Sequence, residues 1–127
     1  MNASTFDTDA RARLREAWAA ELDAARAARS AGDRTAEWRR LERAHILSQP
    51  MAGAHVRTHL AMLGAALRRR DGHELAGQLF RIFVAAPGSA TGKYPVGNTG
   101  GADVSAFAPM PIPEDLQSLL PDTREAS

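Results

Sequence analysis

Three of the four histidines, His45, His55 and His59, fall within one fifteen-residue stretch of a chain that contains no cysteine. His55 and His59 stand one helical turn apart, and His45 closes a Glu-x-x-His step, Glu42-Arg43-Ala44-His45. Imidazole and carboxylate together suit zinc, iron or manganese, and no other grouping in the chain has spacing suited to coordination. The expected chemistry is therefore the binding of a divalent metal ion, zinc or iron foremost. The expected ligands are His45, His59 and His55, with Glu42 or Glu21 completing the shell. The fourth histidine, His73, opens a helix beside a glycine and is expected at the surface.

The same residue types support a different arrangement. A histidine on an apolar face is often neutral and hydrogen-bonded to a neighbouring carboxylate, so Glu21–His59 and Glu42–His45 pairs would make a buried polar network with no metal. Other chemistries are excluded by spacing. His55-Val56-Arg57-Thr58-His59 lacks the Glu that a zinc protease places after its first histidine. There is one Glu-x-x-His step, where a di-iron bundle takes two and further carboxylates. Gly88-Ser89-Ala90-Thr91-Gly92-Lys93 is one residue short of a phosphate loop, is followed by Tyr94, and is preceded by a helical pattern instead of a strand. Arg68-Arg69-Arg70 sits where a helix ends and complements its dipole. Without interleaved aromatics it is no nucleic-acid signature.

These side chains must be positioned by helices. Leu14, Trp18, Leu22 and Ala25 repeat every three or four residues from Asp9 to about Ala31, with Glu21 interrupting the stripe. Gly32-Asp33 stops that helix. A second helix is predicted from about Thr35 to Ser48, carrying Trp38, Leu41, His45 and Ile46, and Pro50 ends it. The third, about Ala52 to Arg70, has Val56, His59, Leu60, Leu63 and Leu67 on one stripe, and Asp71-Gly72 is its stop. The fourth runs from His73 to about Ala86, with Leu75, Leu79, Ile82 and Phe83 as its expected buried side. Packing the first three apolar faces together would bring Glu21, Glu42, His45, His55 and His59 towards one interior region.

Short turns between four helices make neighbours antiparallel. The expected fold is all-α: a four-helix bundle of two antiparallel helical hairpins, tetratricopeptide-like in its spacing of about forty residues, with a C-terminal Gly/Pro-rich irregular arm. Residues 1–8 are expected to be a disordered N-terminus and 9–86 the bundle. Residues 87–121 form the arm, whose scattered Tyr94, Val96, Val104, Phe107, Met110 and Ile112 call for packing on the bundle. Pro113 begins a short terminal helix, and 122–127 are a disordered tail.

Composition narrows the function classes. One domain fits 127 residues, and a net charge of +1 gives no general attraction to nucleic acid or anionic lipid. The start of the chain, Met1 to Asp9, lacks a basic segment followed by an apolar run, and no stretch is apolar enough to span a bilayer. A cytoplasmic protein is expected, with no membrane and no nucleic-acid partner.

The wording of several segments is that of a known family. Leu41-Glu42-Arg43-Ala44-His45-Ile46-Leu47-Ser48-Gln49, His55-Val56-Arg57-Thr58-His59-Leu60-Ala61-Met62-Leu63, Ala85-Ala86-Pro87-Gly88-Ser89 and Tyr94-Pro95-Val96-Gly97-Asn98-Thr99-Gly100 resemble the small bacterial family labelled domain of unknown function 3703. The resemblance spans roughly Trp18 to Leu120 and implies no particular activity. The leading expectation from the residues is a non-catalytic metal-binding or metal-responsive protein. The competing one is a protein-interaction module, whose helical hairpins or arm grip a protein partner or a second copy and whose histidines are a polar network.

Overall fold

Alanine, leucine and arginine fill the stretches between Gly32, Pro50 and Gly72, and nothing helix-breaking lies inside them until Gly53 and Gly64. The computed structural model describes residues 3–121, and the side chains of 8–83 and 87–121 among them. Five helices follow from this composition: α1 (Ala3–Ser30), α2 (Arg34–Ser48), α3 (Ala52–Arg69), α4 (Gly72–Thr91) and a short α5 (Glu114–Gln117). The chain is all-helical among the described residues, and residues 92–113 have no regular secondary structure. No helix among the described residues is long and apolar enough to cross a membrane.

The turns are built by caps. Gly32 takes a left-handed φ of +74°, and the Asp33 carboxylate accepts the Ala36 N–H at 3.0 Å to start α2. Asp71 does the same for α4, accepting the Glu74 N–H at 3.0 Å. At this second turn the left-handed residue is Arg70, with φ +54°, and Gly72 is already inside α4. The predicted stop is thus displaced by two residues, with Asp71 serving as cap for the next helix.

Two boundaries differ more widely from expectation. α1 begins at Ala3 instead of Asp9, because the sequence offers neither proline nor glycine to prevent its extension over the expected disordered N-terminus. Met1, Asn2 and the expected disordered tail at 122–127 lie outside the described residues. α4 continues through Pro87 to Thr91, past the expected end at Ala86. Proline forfeits one helical hydrogen bond, a cost of about 3 kcal/mol in a helix interior. The last turn is secured by Thr91 Oγ1 donating to Pro87 O at 2.8 Å and by Gly92 in the left-handed conformation, φ +71°. The extra turn carries Ser89 into the interior.

α1 packs on α2, α3 on α4, and α2 on α3, so two helical hairpins join through their inner helices. One apolar cluster unites Leu14 and Trp18 with Ala44, Ile46, Leu47, Ala54 and Leu116. A second unites Ala25, Leu41, Met62 and Ala65. The Trp18 indole N–H donates to Thr58 Oγ1 at 2.9 Å, tying α1 to α3 across the first cluster.

The buried faces of α3 and α4 are not the apolar stripes of the sequence. α4 buries Glu74, Gln78, Arg81 and Ser89 and leaves Leu79, Phe80 and Phe83 outside, Phe83 at 81% exposure. α3 buries His55, Thr58, His59 and small or flexible apolar residues, while Leu60 and Leu67 face out. The rotation has a physical cause. Buried imidazoles need polar partners, and α4 and the irregular segment supply them.

Residues 92–113 are held by their own polar groups and by the helices. Met110 N–H donates to Val96 O at 2.9 Å, and the Asn98 amide donates to Ser105 O and Ala108 O, both at 2.7 Å. Gly97 permits this closure, since a Cβ there would stand 1.9 Å from Met110 O. Gln49 reaches Pro95 O at 2.8 Å, and α5 inserts Leu116 into the first apolar cluster. Arg43 links α5 to the bundle, with Glu21 on one side and Asp115 on the other.

Side-chain truncation reads these assignments directly. Leu116→Ala should cost about 2–4 kcal/mol in urea unfolding, as for a buried leucine. Phe83→Ala should stay within about 0.5 kcal/mol of wild type, as for an exposed residue. The reverse ranking would place α4 in the orientation of its apolar stripe.

Candidate metal centre

His45 comes from the last turn of α2, and His55 and His59 from successive turns of α3. The α2–α3 contact brings the three rings together, and all are buried: 3%, 5% and 2% exposed. Their Nε2 atoms converge. His45 to His55 is 2.9 Å, His45 to His59 is 3.1 Å, and His55 to His59 is 3.2 Å. They are the group among the described residues whose ligand atoms stand close enough to share one ion.

The separation suits a metal. With metal–nitrogen bonds of about 2.0–2.1 Å, facial octahedral ligands stand about 2.9 Å apart and tetrahedral ones about 3.3–3.4 Å. The observed distances fall within or at the edge of that range, so adjustments of about a few tenths of an ångström bring all three nitrogens to bonding distance.

Each ring is also held from behind. His45 Nδ1 lies 2.7 Å from Asn98 O, a carbonyl that can only accept, so Nδ1 carries the proton. His59 Nδ1 lies 2.6 Å from Gln78 Oε1. The Gln78 amide orientation is set by its Nε2, which donates to Glu74 Oε1 and to Gly100 O, both at 2.7 Å. Nδ1 of His59 is therefore a donor too. Both Nε2 atoms then present bare lone pairs to one another, which repel unless a cation or a shared proton lies between them. His55 Nδ1 meets Ser89 Oγ at 2.7 Å, and that hydroxyl can donate or accept. If it accepts, all three lone pairs point inward, the arrangement a metal requires. If it donates, a proton on His55 Nε2 serves the other two, as a metal-free network would have it.

Burial settles the charge of two of the rings. Desolvation, reinforced by the other two imidazoles, holds His45 well below the usual histidine value. Desolvation holds His59 at about 4 against the opposing Gln78 hydrogen bond. Neutral imidazole is the metal-binding form, so no proton need be displaced from these two at neutral pH. Behind His59 stands a chain of Gln78 and the Glu74 carboxylate, which also accepts the Ala102 N–H at 2.9 Å. Such outer partners orient a ligand ring and raise its basicity.

Glu21 and Glu42 lie elsewhere. Glu21 is taken by α2 arginines, at 2.8 Å from Arg43 Nε and 3.2 Å from Arg40 Nη1. Half-buried Glu42 is hydrogen-bonded to Thr99, and desolvation with the nearby Asp103 raises its carboxyl. The anticipated Glu21–His59 and Glu42–His45 pairs do not form; backbone carbonyl, amide and hydroxyl take their place. His73 is exposed, with Nε2 at 3.2 Å from Ala102 O.

Several residues that build the centre carried no recognised motif. Glu74, Gln78 and Arg81 form a polar i, i+4, i+7 stripe on an otherwise apolar helix, a signal open to a periodicity search for polar side chains. Gly100 has φ +83°, and a Cβ on it would stand 2.6–2.9 Å from the His45 ring. Only glycine allows the irregular segment to close over the imidazoles. Its place in Asn98-Thr99-Gly100-Gly101 suggests a turn and gives no hint of what it touches.

The chain belongs to the family described as proteins of unknown function, DUF3703, whose sequence model matches residues 12–120. No curated protein and no solved structure matches it.

The lowered histidines make the metal-free protein acid-sensitive. In the unfolded chain both titrate near 6.5, so between that value and about 4 the unfolded state binds more protons than the folded one. Stability must therefore fall as pH is lowered through this window, by about 3 kcal/mol for His59 alone. Urea unfolding at pH 7 and pH 4.5 measures it, and His59→Gln should flatten the slope. Equal stability of the metal-free wild type at the two values would mean that the rings are not buried neutral.

Proposed function

We propose that this member of a family of unknown function is a non-catalytic metal-binding, metal-responsive protein. Its ligands are Nε2 of His45, His55 and His59, and its ion is divalent, zinc or iron. The observation that carries this reading is the convergence of three buried Nε2 atoms within 3.2 Å, each ring braced through Nδ1. Three imidazoles leave room on the ion for at least one further ligand. Glu21 and Glu42, considered as fourth ligands, are engaged with arginines and with Thr99 and are left out of the set.

Responsiveness follows from the source of the bracing groups. Asn98 and Gly100 belong to the irregular segment, so a bound ion that fixes the His45 and His59 rings also fixes residues 92–113 against the helices. Without the ion, only a proton on His55 Nε2 would separate the His45 and His59 lone pairs, a weaker tie on that closure.

A second reading, an interaction module, is favoured by a groove of about 640 Å³ between α1 and α3, lined by Trp18, Leu22 and Leu60 and by Arg26, Arg57 and Arg68. Asp23 and Glu37 of the same wall pair with Arg26 and Arg68, which leaves Arg29 and Arg57 to meet an acidic group of a partner segment. It predicts a partner whose binding is indifferent to chelator.

Protein purified without nickel resin or chelator should hold close to one zinc or iron per chain by elemental analysis. Its melting temperature should fall on chelation and recover with the metal. His45→Ala with His59→Ala should abolish uptake, and Gln78→Leu should weaken it about 10–100-fold, as for an outer partner. Gly100→Ala should displace His45 and lower both affinity and stability. Metal-free protein that takes up no ion, and melts alike with and without chelator, would leave the histidines as a polar network.

A further inference from the structure

We propose that the metal's open position takes a small oxyanion, held by Arg81 and Lys93 in the cavity that borders the triad. This rests on the metal-centre reading above. The cavity measures about 110 Å³ and touches all three histidines, with Arg81, Lys93, Tyr94 and Phe107 among its other walls. It is larger than one water needs and well below the roughly 300–1,000 Å³ of ordinary small-molecule sites. A ligand of a few heavy atoms is the fit.

Charge selects its class. Three neutral imidazoles leave a divalent ion with its full charge, and the walls add two cations and no carboxylate. Arg81 is 6% exposed, yet it makes no carboxylate salt bridge among the described residues. It donates to the backbone, to Gly77 O at 3.4 Å and Val104 O at 2.5 Å. Five N–H donors leave it capacity for an oxyanion. Burial is the largest influence on it and disfavours its charge, while the Glu74 and Asp103 carboxylates favour it. A buried guanidinium beside a ligand face is the arrangement that holds an oxyanion by charge-assisted hydrogen bonds. The exposed Lys93 adds attraction at the entrance. The bland role for Arg81, closing the irregular segment through Val104, accounts for one of its donors and not for its position on the cavity wall.

The test uses the full chain loaded with cobalt(II), whose visible spectrum reports its ligands. Bicarbonate, acetate and phosphate are titrated separately, with acetamide as the neutral counterpart of acetate. At least one oxyanion should shift the spectrum saturably while acetamide does not. Arg81→Gln should weaken that response about tenfold or more, the effect of losing a charged hydrogen bond. Arg81→Lys should retain part of it. Cobalt content is measured for every variant, so loss of anion response is separated from loss of metal. If Arg81→Gln fails to fold, the surface variant Lys93→Gln decides: about threefold weaker binding supports the site, and unchanged binding overturns it. Stoichiometric cobalt whose spectrum ignores all three anions, or responds equally to acetamide, also overturns the proposal. Wild-type protein that takes up no cobalt overturns the metal centre itself, and the oxyanion site with it.

Discussion

Three buried imidazoles that turn their Nε2 atoms towards one point must turn their Nδ1 atoms outward, and each outward atom needs its own partner. That constraint shapes the rest of the molecule. A buried polar group without a partner costs about 1–3 kcal/mol, so three unbraced rings would threaten a fold whose total stability is about 5–15 kcal/mol. Asn98 O, Ser89 Oγ and Gln78 Oε1 remove the problem, one per ring. Each comes from a part of the chain whose conformation would otherwise look odd: an irregular segment, a helical turn beyond a proline, and a polar face on an apolar helix.

The apolar side chains left outside follow from the same constraint. A helix has one buried face, and on α4 that face is given to Glu74, Gln78, Arg81 and Ser89. Leu79, Phe80 and Phe83 are exposed as a result. Apolar packing lies instead between α1 and the inner helices, around Trp18, Leu47 and Leu116 in one cluster and Leu41 and Met62 in the other. The α1 side of the inner helices supplies cohesion, and the α4 side supplies much of the bracing of the polar cluster.

This division explains which parts were legible in the sequence. Helices α2 and α3 and the turns at Gly32 and Pro50 are local matters of propensity and capping, and they emerge from short-range pattern. His45, His55 and His59 are legible as a group because their spacing and the helix contact agree. Glu21 and Glu42 mislead because an acidic residue on an inward face has more than one possible partner, and α2 carries Arg40 and Arg43 within reach of Glu21. The α4 face misleads because hydrophobic periodicity assumes an apolar neighbour, whereas α4 lies against imidazoles and backbone carbonyls. Pro87 reads as a boundary by local rules and is passed over because Ser89 beyond it bonds to His55. Gly100 could not be read at all: its role depends on a ring fifty-five positions earlier in the chain.

In the proposed centre the three Nε2 atoms share one ion. X-ray absorption at the zinc edge of the zinc-loaded protein tests it most directly. Three imidazole nitrogens at about 2.0–2.1 Å, with one or more lighter ligands beside them, are the predicted first shell. A shell of oxygen alone, or one imidazole with the rest water, would contradict it, since zinc would then be bound at the surface while the buried histidines held only one another.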